Sequence, residues 1–254
     1  MNRELKARGE ARLFEHRVEL VPVLEAIREL YTRPIGMERF NEYVRMATSG
    51  GELTLPISHI NPMAKPHALA YVENLLALHA ERVALDAAAT AAAELPPDSI
   101  RTCIILLDDL MGGWTNRTFA EFAHRYERKY EIAHRWATIV LWTSEKPTTA
   151  LIRERTRETM HRTICERRGG PVQSLREIMN REGETMRFAG RTTPRYDADT
   201  LARARAVIDP HLDSKAAPIV IAALYGDDAA KAVGYPPLGL PHCAGYELSL
   251  ADRA

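Results

Sequence analysis

Apolar positions recur along most of this chain with the period of a helix. Leu13, Leu20, Leu24 and Ile27 share one side of a charged stretch, which predicts a long amphipathic helix over residues 3–31. A shorter helix is expected over 36–48, closed by Ser49-Gly50-Gly51, and a long Ala-rich one over 66–93. Between them, Leu53 to Ile57 reads as a short strand that Pro56 confines to an edge or an end.

The pattern changes at 102–107 (TCIILL), where a continuous apolar run sits between Pro-Pro-Asp and Asp-Asp. Lack of polar alternation predicts a strand covered on both faces, as in a parallel sheet. Residues 137–142 (ATIVLW) repeat that signature after a helix expected over 119–133, making a strand–helix–strand crossover. Downstream, helices are expected over 148–167, 171–184 and 197–208. Residues 218–224 are ambiguous, with helix favoured, and the Pro- and Gly-rich tail from Tyr235 is expected to pack over the surface.

The resulting fold class is helix-rich α/β. A small, mostly parallel sheet of about three strands is flanked by helices, with a helical C-terminal half. One domain spans 1–254: a helical segment over 1–50, an α/β core over 51–170 and a helical segment over 171–254.

Charge narrows the partners. The 34 basic and 34 acidic residues cancel, so no global field draws nucleic acid or an acidic membrane, and neither is expected as a partner. No apolar stretch approaches the ~20 residues that span a bilayer. The charged N-terminus has no signal-peptide core, and three dispersed cysteines suggest a reducing compartment, so the expected location is cytoplasmic.

Candidate chemistry gathers at strand ends, where open α/β sheets bind ligands. After the first apolar strand come Asp108 and Asp109, candidate bases or metal ligands, then Gly112-Gly113, Trp114, Asn116 and Arg117. Trp114 could cover a ring, while Asn116 and Arg117 could orient an anionic substrate. Thr118 to Glu121 reads as a capping box, which assigns Glu121 to the helix end. After the second strand come Thr143, Ser144 and Glu145. The 58–67 loop carries His59, Asn61, Lys65 and His67, with either histidine a candidate second acid/base. These loops form one rim only if the strands lie side by side. The spacing is neither GxxxxGK[ST] nor GxGxxG, so no nucleotide-binding motif is present; the cofactor is unknown, with a divalent metal as one option.

Other features have bland readings. Glu121-x-x-His124, Glu131-x-x-His134 and Glu158-x-x-His161 have di-metal spacing, yet each suits a polar helix face or a helix end. His79 falls at helical spacing with Val72, Leu76 and Val83, as a core or interface histidine would. The Arg-rich run 153–168 is interleaved with Glu and reads as a salt-bridged, solvated helix. The alanines of 84–93 suit close packing or a subunit interface of a homo-oligomer, and Asp227-Asp228 looks like a helix cap.

The leading functional expectation is a small-molecule enzyme or ligand-binding protein. It would act on a polar or anionic substrate at the strand ends, with metal assistance as an option. The alternatives are a non-catalytic helical protein of interaction or self-association, and a di-metal helical protein. The sequence leaves open whether the chain is an enzyme.

Overall fold

A computed structural model describes residues 17–110 and 115–252. The start of the expected first helix and Trp114 lie outside the described residues. From Arg17 onward that helix is replaced. Strand β1 (Arg17–Leu20) is followed by helix α1 (Leu24–Thr32). Pro22 explains the correction, because it lacks an N–H and clashes with the preceding turn inside a helix. Arg17-Val18-Glu19-Leu20 also alternates with period two, as a half-buried strand does.

Helix α2 (Met37–Ala47) runs into a hairpin of β2 (Thr48–Ser49) and β3 (Glu52–Leu53). Its turn residues Gly50 and Gly51 have φ of 61° and 86°, the left-handed backbone that tight hairpins require. The strand expected over 53–57 is therefore corrected to this two-residue piece, outside the parallel sheet. Thr54 N–H turns back to the Ala47 carbonyl at 2.9 Å, and Pro56 has no N–H for a ladder.

The Ala-rich stretch divides into α3 (Pro66–Ala77) and α4 (Ala80–Glu94) at His79, whose φ of 50° breaks the helix. His79 is exposed, which corrects the core reading. Next come β4 (Ser99–Leu107), α5 (Arg117–Tyr126), α6 (Lys129–Ala133) and β5 (Trp136–Trp142). The expected 119–133 helix thus splits. Arg128 marks the break, with its guanidinium bound to the Trp136 carbonyl at 3.3 Å and Thr163 Oγ1 at 2.7 Å. The sheet is all parallel in the order β1-β4-β5, with Leu107 paired to Trp142 at its carboxyl edge. Residues 102–107 and 136–142 are buried throughout, as unalternating apolar runs require.

Helix α7 (Thr149–Gly169) contradicts the solvated reading of its Arg-rich sequence. Glu158, His161 and Arg162 are buried, and the alanines of α4 pack with its Met160 and Ile164. The Ala-rich face is therefore taken up inside the chain. The charges of α7 tolerate burial because they are paired. Arg157 grips both oxygens of Glu94 at 2.9 Å, Arg162 grips both of Glu182 at 2.7 and 2.9 Å, and Arg167 reaches Asp98 at 2.7 Å.

The C-terminal half contains α8 (Leu175–Phe188), α9 (Ala198–Ile208), α10 (Ala217–Tyr225), α11 (Asp227–Ala232) and α12 (Ala244–Ala251). The ambiguous 218–224 segment is helical. Tail packing over the surface is corrected: residues 244–250 are all buried within a second apolar cluster. Two glycines allow that. A Cβ at Gly183 of α8 would sit 2.3 Å from the Ser249 carbonyl oxygen, and one at Gly245 would sit 2.6 Å from that of Ala223. Asp227 clamps the connecting loop through the N–H groups of Leu238, Gly239 and Leu240, each at 3.0 Å. Among the described residues no helix is long and apolar enough to cross a membrane.

Candidate functional site

The register that pairs Leu107 with Trp142 sets Asp108 and Asp109 beside Thr143, Ser144 and Glu145. Thr143 Oγ1 lies 3.0 Å from Asp108 Oδ1 and 3.2 Å from Asp109 Oδ1. Ser144 donates to Asp109 twice, through N–H at 2.9 Å and Oγ at 2.6 Å. The 58–67 loop also reaches this rim, although no strand of its own carries it there. Pro66 opens α3, and the next residue, His67, sets Nε2 2.7 Å from Asp108 Oδ1. Asp108 is 3 % exposed, so the contact is a shielded imidazole–carboxylate pair.

Arg117, at the start of α5, extends the rim outward. Its Nη1 donates to Asp109 Oδ2 at 3.4 Å and Ser144 Oγ at 3.0 Å, and its Nη2 donates to Glu145 Oε1 at 2.6 Å. The guanidinium carbon sits 5.1 Å from the centre of the Trp142 ring. One chain of polar contacts therefore runs from His67 through Asp108, Thr143 and Asp109 to Arg117.

Arg117 and Glu145 also line a cavity of about 400 Å³ walled by α5, α7 and the C-terminal helices. Its charged lining is five arginines (117, 125, 155, 191, 195) and four glutamates (121, 145, 158, 247). The pairs form a relay. Arg155 joins Glu145 at 3.1 Å to Glu158 at 3.3 Å, Arg125 joins Glu121 to Glu182, and Arg191 holds Glu247 at 2.8 Å. Three buried polar atoms at or near this cavity have no hydrogen-bond partner among the described residues: Glu145 Oε2, Arg155 Nε and, close to both, Tyr71 Oη. Burial, with the carboxylates of Glu145 and Asp109 nearby, pushes the Tyr71 phenol up and keeps it protonated.

The remaining expected site residues have other surroundings. His59 and Lys65 are exposed. Asn61 is buried and makes a turn, its Oδ1 accepting from Met63 N–H at 2.9 Å. Asn116 caps α5 through Phe119 N–H at 3.1 Å. That displaces the expected Thr118 capping box and frees Glu121, which pairs instead with Arg125 and with Arg117 at 3.7 Å.

The Glu-x-x-His pairs do not converge. His124 Nε2 contacts the Thr138 carbonyl at 3.0 Å, His134 Nδ1 the Tyr130 carbonyl at 2.9 Å, and His161 Nδ1 the Thr185 hydroxyl at 2.8 Å. Among the described residues no three His, Cys, Asp or Glu side chains are grouped to hold a metal ion. Burial, helped by Arg162, lowers the His161 imidazole from 6.5 to about 4. His161 is thus neutral in the folded protein where the unfolded chain is protonated, so stability rises with pH across that interval. Urea midpoints are expected to fall from pH 7 to pH 4.5 by the equivalent of about 2–3 kcal/mol, and His161→Gln should flatten that slope. An unchanged slope would remove His161 as its source.

Sequence reasoning missed Tyr71, Arg125, Arg155, Glu182, His242 and Cys243. They come from α3, α5, α7, α8 and the α12 entrance, and no local motif links them. No family model, curated protein or solved structure matches this chain.

Proposed function

We propose that this chain is a small-molecule enzyme whose substrate is polar or anionic, bound in the cavity beside the carboxyl ends of β4 and β5. The supporting observation is the continuous contact chain from His67 and Asp108 to Arg117 at the cavity wall. It joins an acid/base pair to a guanidinium in the style of substrate-positioning sites.

In this reading His67 moves the proton, and Asp108 fixes the orientation of the ring through the 2.7 Å contact. Asp109 and Ser144 hold Arg117 in place, and Arg117 with Arg155 receives the substrate's anionic group. The alternation of guanidinium and carboxylate suits a ligand with both donors and acceptors. Arg117 and Arg195, with side chains 36 % and 68 % exposed, are lining guanidinium groups open to an incoming anion.

Succinate and inorganic phosphate are suitable probes, read by titration calorimetry. Saturable binding of at least one dianion is expected, with Arg117→Ala weakening it about 10–100-fold, the worth of one charge-assisted hydrogen bond. Absence of saturable heat with either probe, or equal affinity in a folded Arg117→Ala protein, would overturn the reading.

A further inference from the structure

The far wall of the same cavity carries chemistry that the rim does not use. His242 and Cys243 both line it, and Cys243 Sγ lies 3.3 Å from His242 Nε2. The backbone that carries the pair is anchored, with His242 exposed. Cys243 N–H donates to the Tyr225 carbonyl at 2.9 Å, the His242 carbonyl accepts from Tyr196 Oη at 2.8 Å, and Leu240 is tied to Asp227. Cys243 takes a left-handed φ of 56° at the entrance to α12. The first i→i−4 bond of that helix runs from Glu247 N–H to the Cys243 carbonyl. Tyr225, 5 % exposed, lines the cavity beside Tyr246, its ring edge-on to that ring at 5.2 Å. Arg195 is close by, with its side chain 68 % exposed and a 3.6 Å contact to Glu247.

We infer that Cys243 is a nucleophile, with His242 as its base, for acyl transfer from a small ester or thioester bearing an anionic group. The inference rests on the cavity being the binding site proposed above. Nucleophile and base within contact distance in a cleft is the arrangement that covalent catalysis requires. Burial and the Glu121 carboxylate push the Cys243 thiol up, so a base in contact is needed to make the thiolate. His242 takes the thiol proton and the sulfur attacks the carbonyl carbon. The tetrahedral adduct collapses with cleavage of the bond to the leaving oxygen or sulfur, which takes the proton back from His242. Water then adds to the acyl-cysteine, the C–S bond breaks, and the thiol is restored. Ester and water become acid and alcohol, with no oxidant or reductant. At this wall Arg195, whose charge reaches the Cys243 thiol and whose side chain is 68 % exposed, takes the charge of a singly anionic acyl group, and Arg117 with Arg155 takes the second charge of a dianion.

Mono-4-nitrophenyl succinate and 4-nitrophenyl acetate test this on the full chain. The expected result is a burst of one nitrophenolate per chain with one succinyl group mapped to Cys243. Cys243→Ala should lose the burst, and His242→Asn should slow it at least tenfold at an unchanged urea midpoint. The succinyl probe is expected to react at least tenfold faster than the acetyl probe, a preference lost in Arg195→Ala. If both probes acylate Cys243 equally fast, the nucleophile stands and the anion-binding reading falls. If neither labels Cys243, or label appears only at Cys103 or Cys165, the nucleophile is overturned whatever the dianion titration gives.

Discussion

Glu182→Gln is expected to destabilise the protein by about 3–5 kcal/mol at neutral pH, measured as a shift in the urea unfolding curve. Glu182 is fully buried in α8, where it accepts two hydrogen bonds from Arg162 and one at 3.2 Å from Arg125. An amide of the same shape keeps the volume but leaves two guanidinium groups short of a counter-charge, which burial makes severe. A surface pair serves as the control. Arg176 and Asp213 meet at 3.2 Å with side chains 51 % and 89 % exposed, so Asp213→Asn should produce no measurable change.

The same residue sets a pH dependence. Burial alone would raise the Glu182 carboxyl, but Arg162 and Arg125 overcome that and hold it below the usual glutamate value. Its contribution is therefore complete above the unfolded glutamate range near ~4.3 and is lost as pH falls through the lower folded value. The gap between wild type and Glu182→Gln should persist at pH 5 and close only in stronger acid. A gap that had already vanished at pH 5 would mean the carboxylate is not held by its arginines.

How much of this was legible in the sequence depends on the range of the signal. The β4 and β5 runs declare themselves because burial on both faces removes polar residues locally, and their register then sets Asp108 and Asp109 beside Ser144 and Glu145. The first strand was hidden. Leu20 falls on a helical stripe with Leu13, Leu24 and Ile27, and only Pro22 and the short alternation from Arg17 to Leu20 discriminate. The helix break at His79 left no composition signal. The polarity of α7 looked like solvent exposure because the acids that cover it, Glu94, Asp98 and Glu182, lie far away in sequence. The same distance concealed the cavity: its arginines come from α5, α7 and the loop before α9, and its thiol–imidazole pair from a tail that reads as surface loop. Residue chemistry was visible there, and adjacency was not.

The contact between His67 and Asp108 is the joint on which the rim depends, since it brings the 58–67 loop onto the end of β4. Asp108→Ala alone is expected to lower stability by about 2–3 kcal/mol, because it strips acceptors from His67, Thr143 and the Leu110 N–H inside a shielded pocket. That loss would not by itself identify the partner. A double-mutant cycle with His67→Ala and Asp108→Ala does, because the losses at Thr143 and the Leu110 N–H, which share Asp108 Oδ1 with His67, are common to Asp108→Ala and the double variant and cancel, leaving the term of the pair. The coupling free energy expected between the two positions in urea unfolding is about 1–2 kcal/mol. Additivity within about 0.3 kcal/mol would contradict the contact, because two segments that do not touch have nothing to couple.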